Sequence, residues 1–120
     1  MGSKTPPPDI AERIQLRKDI KNEISSYPIV IYSKPRCGYC DLAKDLFSQE
    51  KLKFKEFDLN SIALKSPDTY KNYINALIDI TKLKTVPQIF ICGKFIGGYV
   101  DLHQISQENR LLELVAECSG

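Results

Sequence analysis

Hydrophobic positions recur with helical spacing at the start of the chain. In residues 10–26 the isoleucines fall on one helical face: Ile10, Ile14, Ile20 and Ile24. This spacing predicts an amphipathic helix, and Asp9 followed by Glu12 has the spacing of a capping box at its beginning. Residues 1–9, with three consecutive prolines, are expected to form a flexible leader. Residues 10–120 are then expected to form a single domain.

Short apolar runs predict the strands. Residues 29–33 are almost continuously apolar and rich in β-branched side chains, which is typical of a central strand buried on both faces. Residues 54–59 predict a second strand. Residues 86–92 and 95–97 predict a hairpin whose two-residue turn is Gly93-Lys94.

The remaining segments predict helices. Apolar residues at helical spacing follow the first strand, and a longer stripe runs through residues 67–82 behind Ser66 as N-cap. Asp101 and Ser106 are candidate N-caps for two short C-terminal helices. The order α-β-α-β-α-β-β-α-α predicts an α/β fold: a mixed four-stranded sheet flanked by helices on both faces, with an extra N-terminal helix.

Composition narrows the class of protein. With 120 residues, 42% hydrophobic and 27% charged, the chain is typical of a small globular domain. The formal charge is only +2 and is evenly distributed, which argues against a nucleic-acid partner. No apolar run is long enough to cross a bilayer, so no membrane association is expected. In the absence of a secretory signal we expect a cytoplasmic protein, or an organellar matrix protein after removal of a transit peptide.

Four cysteines, at positions 37, 40, 92 and 118, could pair in three ways, and the C-x-x-C spacing of the first two indicates a reactive or metal-binding pair. A zinc site needs about four ligands. Cys92 falls in a predicted strand as a small core residue, Cys118 lies near the end and is expected to be exposed, and His103 is the only histidine. Because these residues supply no second ligand pair, we expect no metal site.

Cys37 is expected at a helix start, just after a buried strand. The unpaired N–H groups and the macrodipole there stabilise a thiolate, and Lys34 and Arg36 act in the same direction. The pattern therefore predicts a lowered pKa for Cys37 and a nucleophilic role. Cys40 lies one helical turn away and is suited to resolve a mixed disulfide formed at Cys37.

Three motifs together resemble the dithiol glutaredoxins. They are Lys34-Pro35-Arg36-Cys37-Gly38-Tyr39-Cys40 after the first strand, Thr85-Val86-Pro87, and Gly97-Gly98-Tyr99-Val100-Asp101. The resemblance covers roughly residues 20–118. It implies a thioredoxin-like fold and a glutathione-dependent thiol-disulfide oxidoreductase that acts on glutathionylated proteins and on disulfides.

The resemblance also implies residue roles. Cys37 and Cys40 are the catalytic pair, and glutathione is the co-substrate. The implied glutathione contacts are Lys34, Tyr39, Thr85, Val86, Pro87, Gly98, Val100 and Asp101. Within this set, the Val86 main chain pairs with the ligand, the glycine-rich motif holds its γ-glutamyl end, and the Val86-Pro87 bond is cis. A cation such as Lys34 and an anion such as Asp101 complement the charges of glutathione.

Several departures leave alternatives open. Gly38 stands where the commonest dithiol members have proline. Some relatives without that proline hold a 2Fe-2S cluster between two protomers, which would make Cys37 a cluster ligand and the protein a cluster-bridged dimer instead of a monomer. Val100 lacks a hydrogen-bonding side chain, and Lys84 is a candidate partner of the glycine carboxylate. Thioredoxin proper is a weaker alternative because the chain has no tryptophan.

Overall fold

A computed structural model of the chain describes residues 7–119. Six helices and four strands form this part of the chain. In order, they are α1 (Pro8–Ser25), β1 (Ile29–Ser33), α2 (Gly38–Gln49), β2 (Lys55–Asp58), α3 (Leu59–Lys65), α4 (Tyr70–Thr81), β3 (Gln88–Ile91), β4 (Lys94–Gly97), α5 (Tyr99–Gln107) and α6 (Leu111–Ala116).

The strands form one mixed sheet in the order β2-β1-β3-β4. β1 is parallel to β2 and antiparallel to β3, and β4 is antiparallel to β3. All five residues of β1 are buried, as a central strand covered on both faces requires. The predicted four-stranded mixed sheet, flanked by helices and preceded by an N-terminal helix, is confirmed.

Alternate residues of β1 build two cores, one on each face of the sheet. Ile29 and Ile31 pack with residues of α2, α5 and α6, including Phe47, Leu102 and Leu111. The opposite face is covered by α1 and α4, where the cluster contains Ile20, Ile24, Val30, Tyr32 and Leu77.

Polar groups between α1 and the rest of the domain reinforce the second core. Both oxygens of Asp79 in α4 accept hydrogen bonds from the Arg13 guanidinium in α1. Glu23 of α1 accepts hydrogen bonds from the hydroxyls of Tyr32 and Tyr73, and burial raises the pKa of both phenols. These contacts join α1 to α4 and to β1.

The ends of α1 differ from the prediction. The helix begins at Pro8, with Pro7 as its N-cap and no side-chain capping bond, so Asp9 and Glu12 do not form a capping box. Proline is favoured in the first turn because its missing N–H would be unpaired there anyway. Ile10 is 50% exposed, which leaves the apolar contact to residues farther along the helix. The first six residues of the expected leader lie outside the described residues.

Other element boundaries also move. The helix predicted over residues 67–82 is α4, but its N-cap is Thr69 and not Ser66, and its first residue is Tyr70. The short helix α3 was not predicted. The N-caps of α5 and α6 are Gly98 and Arg110, so the predictions for Asp101 and Ser106 were wrong. Among the described residues, no helix has the length and apolar character needed to cross a membrane.

The β3–β4 turn is shifted by one residue from the prediction. Its two central residues are Cys92 and Gly93, both with positive φ, as a primed hairpin turn requires. Cys92 is therefore not a strand core residue. It forms a disulfide with Cys118, across a sequence separation of 26 residues, and this bond joins the hairpin turn to the C-terminal end of the domain.

Candidate active site

The cysteine pair lies at the junction between β1 and α2. Cys37 is the N-cap of α2, and its Sγ accepts a hydrogen bond from the backbone N–H of Cys40 at 3.1 Å. The two cysteines form a disulfide with their Cα atoms 5.2 Å apart. Cys40 is completely buried, whereas Cys37 is only partly covered. A molecule arriving from solvent can therefore reach Cys37 but not Cys40.

Charged groups fix the end of β1 against α2. Glu56 accepts hydrogen bonds from Ser33 Oγ and from Lys44 Nζ of α2. Partial burial opposes ionisation of this carboxylate, but the two hydrogen bonds outweigh it and lower the pKa of Glu56. The exposed cations Lys34 and Arg36 precede the Cys37 N-cap in the sequence.

The second motif, Thr85-Val86-Pro87, lies beside the sulfur of Cys37. Cys37 Sγ is 3.9 Å from the carbonyl oxygen of Val86, and the Val86-Pro87 peptide bond is cis. Gln88, only 3% exposed, donates from Nε2 to the carbonyl oxygens of Leu83 and Thr85. These two bonds set the path of the loop that presents Val86 to the cleft.

The third motif turns sharply at the start of α5. Asp101 Oδ2 accepts a hydrogen bond from the backbone N–H of Gly98 at 3.0 Å, which closes the first turn of the helix. Gly97 has a φ of +124°, and a Cβ there would collide with the Asp101 carboxylate. Glycine at position 97 is thus required for Asp101 to lie at the edge of the cleft.

A cleft of about 250 Å³ joins these motifs. Among the predicted glutathione contacts, its walls include Tyr39, Thr85, Val86, Pro87, Gly98, Val100 and Asp101. Lys34 is separate: it lies on a neighbouring cavity that shares Val86 with this cleft. The structure thus brings seven of the eight residues together and sets Lys34 to one side, and their roles as ligand contacts stay predictions.

Sequence reasoning missed three residues that shape the site. Tyr99 lines the cleft and stacks on Tyr39 with ring centroids 6.1 Å apart. Gly97 permits the turn that presents Asp101, and Gln88 holds the Val86 loop. Gln88 had a signal in the sequence, because it is a polar residue directly after Val86-Pro87 and at the start of an apolar run. The Tyr39–Tyr99 contact depends on tertiary packing and had no local signal.

Within residues 7–119, no group of three or more His, Cys, Asp or Glu side chains is arranged to hold a metal ion. The site offers one partly covered sulfur, Cys37 Sγ, which is bonded to the buried sulfur of Cys40. This pair is suited to sulfur exchange at Cys37, whose Sγ lies beside Val86 in the wall of a cleft that also contains the Asp101 carboxylate.

Comparison with known proteins supplies the family. The glutaredoxin family model matches residues 29–96. Glutaredoxin-2, mitochondrial, from Bos taurus is 38% identical over 99 residues, covering 82% of this chain and 60% of the relative. The human protein of the same name is 39% identical over 100 residues, covering 82% of this chain and 57% of the relative. The chain thus spans about 60% of the length of these curated relatives.

Solved structures agree in fold. A buckwheat glutaredoxin–glutathione complex superposes with a TM-score of 0.79 at 27% identity, covering 94% of this chain and 96% of the other. The holo form of glutaredoxin C1 from Populus tremula x tremuloides has a TM-score of 0.75 at 34% identity, covering 86% and 97% of the two chains.

Proposed function

Because the chain belongs to the glutaredoxin family, we propose that it is a glutathione-dependent thiol-disulfide oxidoreductase. Its substrates are protein–glutathione mixed disulfides and other disulfides, and glutathione is the reductant. The observation that carries this proposal is the Cys37–Cys40 disulfide at the start of α2, with Cys37 Sγ 3.9 Å from the carbonyl oxygen of Val86, a residue of the cleft wall.

Burial divides the roles of the two sulfurs. Cys37 is the N-cap of α2 and is accessible, so its thiolate is stabilised by the helix N-terminus and can attack a substrate. Cys40 is buried, and its Cα lies 5.2 Å from that of Cys37, so it can reach only a group already attached to Cys37. We assign Cys37 as the nucleophile and Cys40 as the resolving cysteine.

The cleft has the polarity that glutathione needs. An extended peptide-like ligand can pair with the exposed backbone at Val86. The Gly98 N-cap and the Asp101 carboxylate lie at one end, where they suit the amino acid group of the γ-glutamyl residue. Lys34 lies beyond Val86 in the direction of the second cavity and suits the glycine carboxylate. Thr85 and Tyr39 complete the walls.

The exchange proceeds by thiolate displacement. The Cys37 thiolate attacks the glutathionyl sulfur of a mixed disulfide, the substrate thiolate leaves and takes a proton, and Cys37 becomes glutathionylated. A second glutathione thiolate attacks this sulfur, which forms glutathione disulfide and restores the Cys37 thiolate. Alternatively, the Cys40 thiolate displaces glutathione and closes the Cys37–Cys40 disulfide, which two glutathione molecules then reduce.

Single serine variants test the two roles. Cys37→Ser should abolish reduction of a glutathione mixed disulfide, measured in an assay coupled to glutathione reductase. Cys40→Ser should keep that activity, because the second glutathione can release the product without a resolving thiol. Reduction that requires the dithiol form should be lost in both variants.

The same assay with thioredoxin reductase as the electron donor tests the reductant. We expect turnover with glutathione and glutathione reductase and little with thioredoxin reductase. Efficient turnover only with thioredoxin reductase, or equal loss of deglutathionylation in the two serine variants, would contradict the proposal.

We do not propose the 2Fe-2S alternative as a second function. Such a cluster would take Cys37 and a glutathione thiolate from each of two protomers. Among the described residues, nothing beyond Cys37 favours that arrangement, and Cys37 is already bonded to Cys40. All the residues that we assign to thiol exchange lie in one chain, which supports action as a monomer.

For the compartment, we propose a site that contains glutathione. The bovine and human relatives are named as mitochondrial proteins, which favours an organellar matrix over the cytoplasm. Imaging of the complete chain with a fluorescent tag at its C-terminus would distinguish these two compartments.

A further inference from the structure

A groove of about 500 Å³ lies between α1 and α4, and we call it the α1 groove. Its lining comes from four residues of α1 and two of α4: Ile14, Arg17, Lys18, Lys21, Asp79 and Ile80. Within the described part of the chain, it shares no lining residue with the active-site cleft or with the cavity that contains Lys34. A partner bound here would therefore leave the cleft open.

The α1 groove has an excess of positive charge. Both oxygens of Asp79 are already bound by the Arg13 guanidinium, and Arg17 lies 3.8 Å from the same carboxylate. Lys18 and Lys21 are exposed, and neither belongs to an ion pair within residues 7–119. Their charges are available to an anionic partner.

The acidic side chains that neighbour these cations along α1 do not neutralise them. Glu23 accepts hydrogen bonds from two tyrosine hydroxyls, and Asp19 accepts one from Gln15. At 3.6 residues per turn, Asp19 lies about 160° around the helix from both Arg17 and Lys21. The basic side of α1 is thus separate from its acidic side.

Two apolar side chains of α1 lie on this basic side. Ile10 and Ile14 are one helical turn apart; Ile10 is exposed and Ile14 is half-buried. In the part of the chain that the structure describes, neither packs against the core on either face of the sheet. Ile14 and the half-buried Ile80 form the apolar part of the α1 groove. The surface therefore combines uncovered apolar side chains with adjacent cations.

We propose that the α1 groove binds an amphipathic helix of a partner protein, with carboxylates along one edge of the apolar face of that helix. Its apolar side chains pack against Ile14 and Ile80, and its carboxylates meet Arg17, Lys18 and Lys21. Side chains at i and i+4 lie about 5–6 Å apart, so Arg17 and Lys21 have the spacing of glutamates at i and i+4 of the partner. The inference goes beyond the proposed exchange reaction and does not depend on it.

Other partners match fewer of these features. A lipid surface is flat, whereas these cations line a concave groove together with Asp79. A small polyanion such as inorganic triphosphate has no apolar part to cover Ile14 and Ile80. A neutral apolar helix would leave the cations unpaired, and a basic helix would be repelled by them.

The test is an NMR titration of the oxidised, full-length chain labelled with ¹⁵N. The probe is a synthetic alanine-based peptide with capped ends, in which leucines and glutamates, each spaced i, i+4, form adjacent rows of a helix. It should cause saturable shifts in α1 and at the C-terminal end of α4. In one matched peptide glutamine replaces every glutamate, and in the other alanine replaces every leucine. Both replacements keep a high helix propensity.

Both matched peptides should bind more weakly than the glutamate peptide. The glutamine peptide loses exposed ion pairs and should bind at least about threefold more weakly. The alanine peptide loses the apolar contact with Ile14 and Ile80 and should bind at least about tenfold more weakly. Raising the salt from about 0.1 M to about 1 M should weaken the glutamate peptide, because the screening length falls from about 10 Å to about 3 Å.

Variants locate the binding. Lys18→Gln/Lys21→Gln removes two cations and should weaken the glutamate peptide by about threefold or more. Ile14→Ala removes apolar contact and should weaken it by a similar factor. Lys51→Gln/Lys53→Gln is the matched control, because both lysines are exposed, lie outside the groove and have no ion pair within residues 7–119. This control should bind as the parent does.

Turnover separates this inference from the proposed function. All three variants should reduce a small glutathione mixed disulfide at the rate of the parent, which shows that they fold. Saturating glutamate peptide should not slow the parent, because the groove and the cleft have no lining residue in common among the described residues. Peptide binding by a chain that has no turnover would contradict only the proposed function.

Four results would overturn the inference. They are the absence of saturable shifts, equal affinity for the glutamate and glutamine peptides, indifference to both Lys18→Gln/Lys21→Gln and Ile14→Ala, and inhibition of turnover by the peptide. Two further titrations identify a different occupant. Shifts with inorganic triphosphate that match those of the peptide would assign the groove to a small polyanion. Cosedimentation with vesicles of phosphatidylcholine and phosphatidylserine at about 7:3, without peptide binding, would assign it to a lipid surface.

Discussion

At the scale of the residue, accessibility separates two chemically identical side chains. Cys37 is partly exposed, with its Sγ 3.9 Å from the carbonyl oxygen of Val86, whereas Cys40 is fully buried and supplies its backbone N–H to the Cys37 sulfur. That hydrogen bond, together with the helix N-terminus, stabilises negative charge on Cys37 in the reduced protein. The same geometry gives Cys40 no route to an external disulfide.

This environment predicts an unusual pH dependence of alkylation. In the reduced protein, the rate of iodoacetamide labelling at Cys37 should rise with a midpoint below pH 7, well under the value of about 8.5 for a free cysteine. At pH 5.5, Cys37 should react at least about tenfold faster than free cysteine, because the lower pKa leaves far more thiolate. Mass spectrometry of peptides after timed labelling measures the rate at each cysteine.

The matched control for this measurement is Cys37→Ser, in which labelling at low pH should disappear. Lys34→Gln should move the midpoint upward, since it removes a cation three residues before Cys37. A labelling profile at Cys37 that coincides with that of free cysteine would contradict both the thiolate assignment and the exchange mechanism that depends on it.

At the scale of the element, α1 is held on α4 by a core and by one bidentate ion pair. Arg13 meets both carboxylate oxygens of Asp79, with Arg17 farther away at 3.8 Å. The hydrogen bond from Arg13 lowers the pKa of Asp79, and slight burial acts against it. This pair links two helices that lie far apart in the sequence.

Asp79→Asn should lower the melting temperature by about 2–4 °C at pH 7, since a partly exposed bidentate pair contributes modestly. The lowered pKa means that the pair stabilises the fold above the ordinary aspartate value of 3.8 and loses this effect as pH falls through the folded value. The difference between variant and parent should therefore be smaller at pH 2 than at pH 7. Thermal unfolding followed by circular dichroism measures both points.

Asp45→Asn serves as the control, because Asp45 is exposed and has no ion pair within the described part of the chain. It should melt as the parent does at both pH values. A difference between Asp79→Asn and the parent that is as large at pH 2 as at pH 7 would show that packing, and not charge, explains the loss.

The local pattern predicted the elements that bring the cysteines to the cleft. The continuous apolar run of β1 and the Cys37 N-cap of α2 were readable because both depend on neighbouring residues. The first residues of the helices were harder to predict from the sequence. Serine is a common N-cap, so Ser66 was a reasonable choice, but the N-cap of α4 is Thr69. The short helix α3 has too few residues to show a period.

Features that depend on tertiary contacts could not be predicted. The turn of the hairpin falls at Cys92-Gly93 because Cys92 adopts a positive φ that glycine would be expected to take. The role of Gly97 follows from the nearness of the Asp101 carboxylate. The cation Lys34 precedes the cysteines in sequence, yet it lies on the neighbouring cavity that shares Val86 with the cleft, and not on the cleft with the other predicted contacts.

At the scale of the whole molecule, the Cys92–Cys118 disulfide joins the β3–β4 turn to the residues that follow α6, in elements other than those that hold Cys37 and Cys40. The four cysteines allowed three pairings in the sequence, and only the fold shows that the hairpin turn meets the end of α6. The bond connects positions 26 residues apart, so it restricts the unfolded chain far more than the Cys37–Cys40 bond does.

Removal of this bond should destabilise the protein without changing its chemistry. The double variant Cys92→Ser/Cys118→Ser should lose about 3 kcal/mol of unfolding free energy, as expected for a loop of that length. Urea denaturation of the oxidised proteins measures this loss. The variant should retain glutathione-dependent turnover at a temperature where it stays folded.

The double variant Cys37→Ser/Cys40→Ser is the matched control, and its loss of stability should be smaller because the loop that it opens is only three residues long. An equal or greater loss in this control would show that loop closure does not explain the stabilisation.

The apolar cores on the two faces of the sheet limit how far the chain can be shortened. The segment that matches the family model, residues 29–96, excludes α1, α5 and α6. Trimming to that segment would delete Ile20 and Ile24 from one side of the sheet and Leu102, Leu111 and Val115 from the other. The remnant would keep Cys37 and Cys40 and the partial cover of α2 and α4, but each face of its central strand would lose part of its apolar cover, and it should precipitate or unfold.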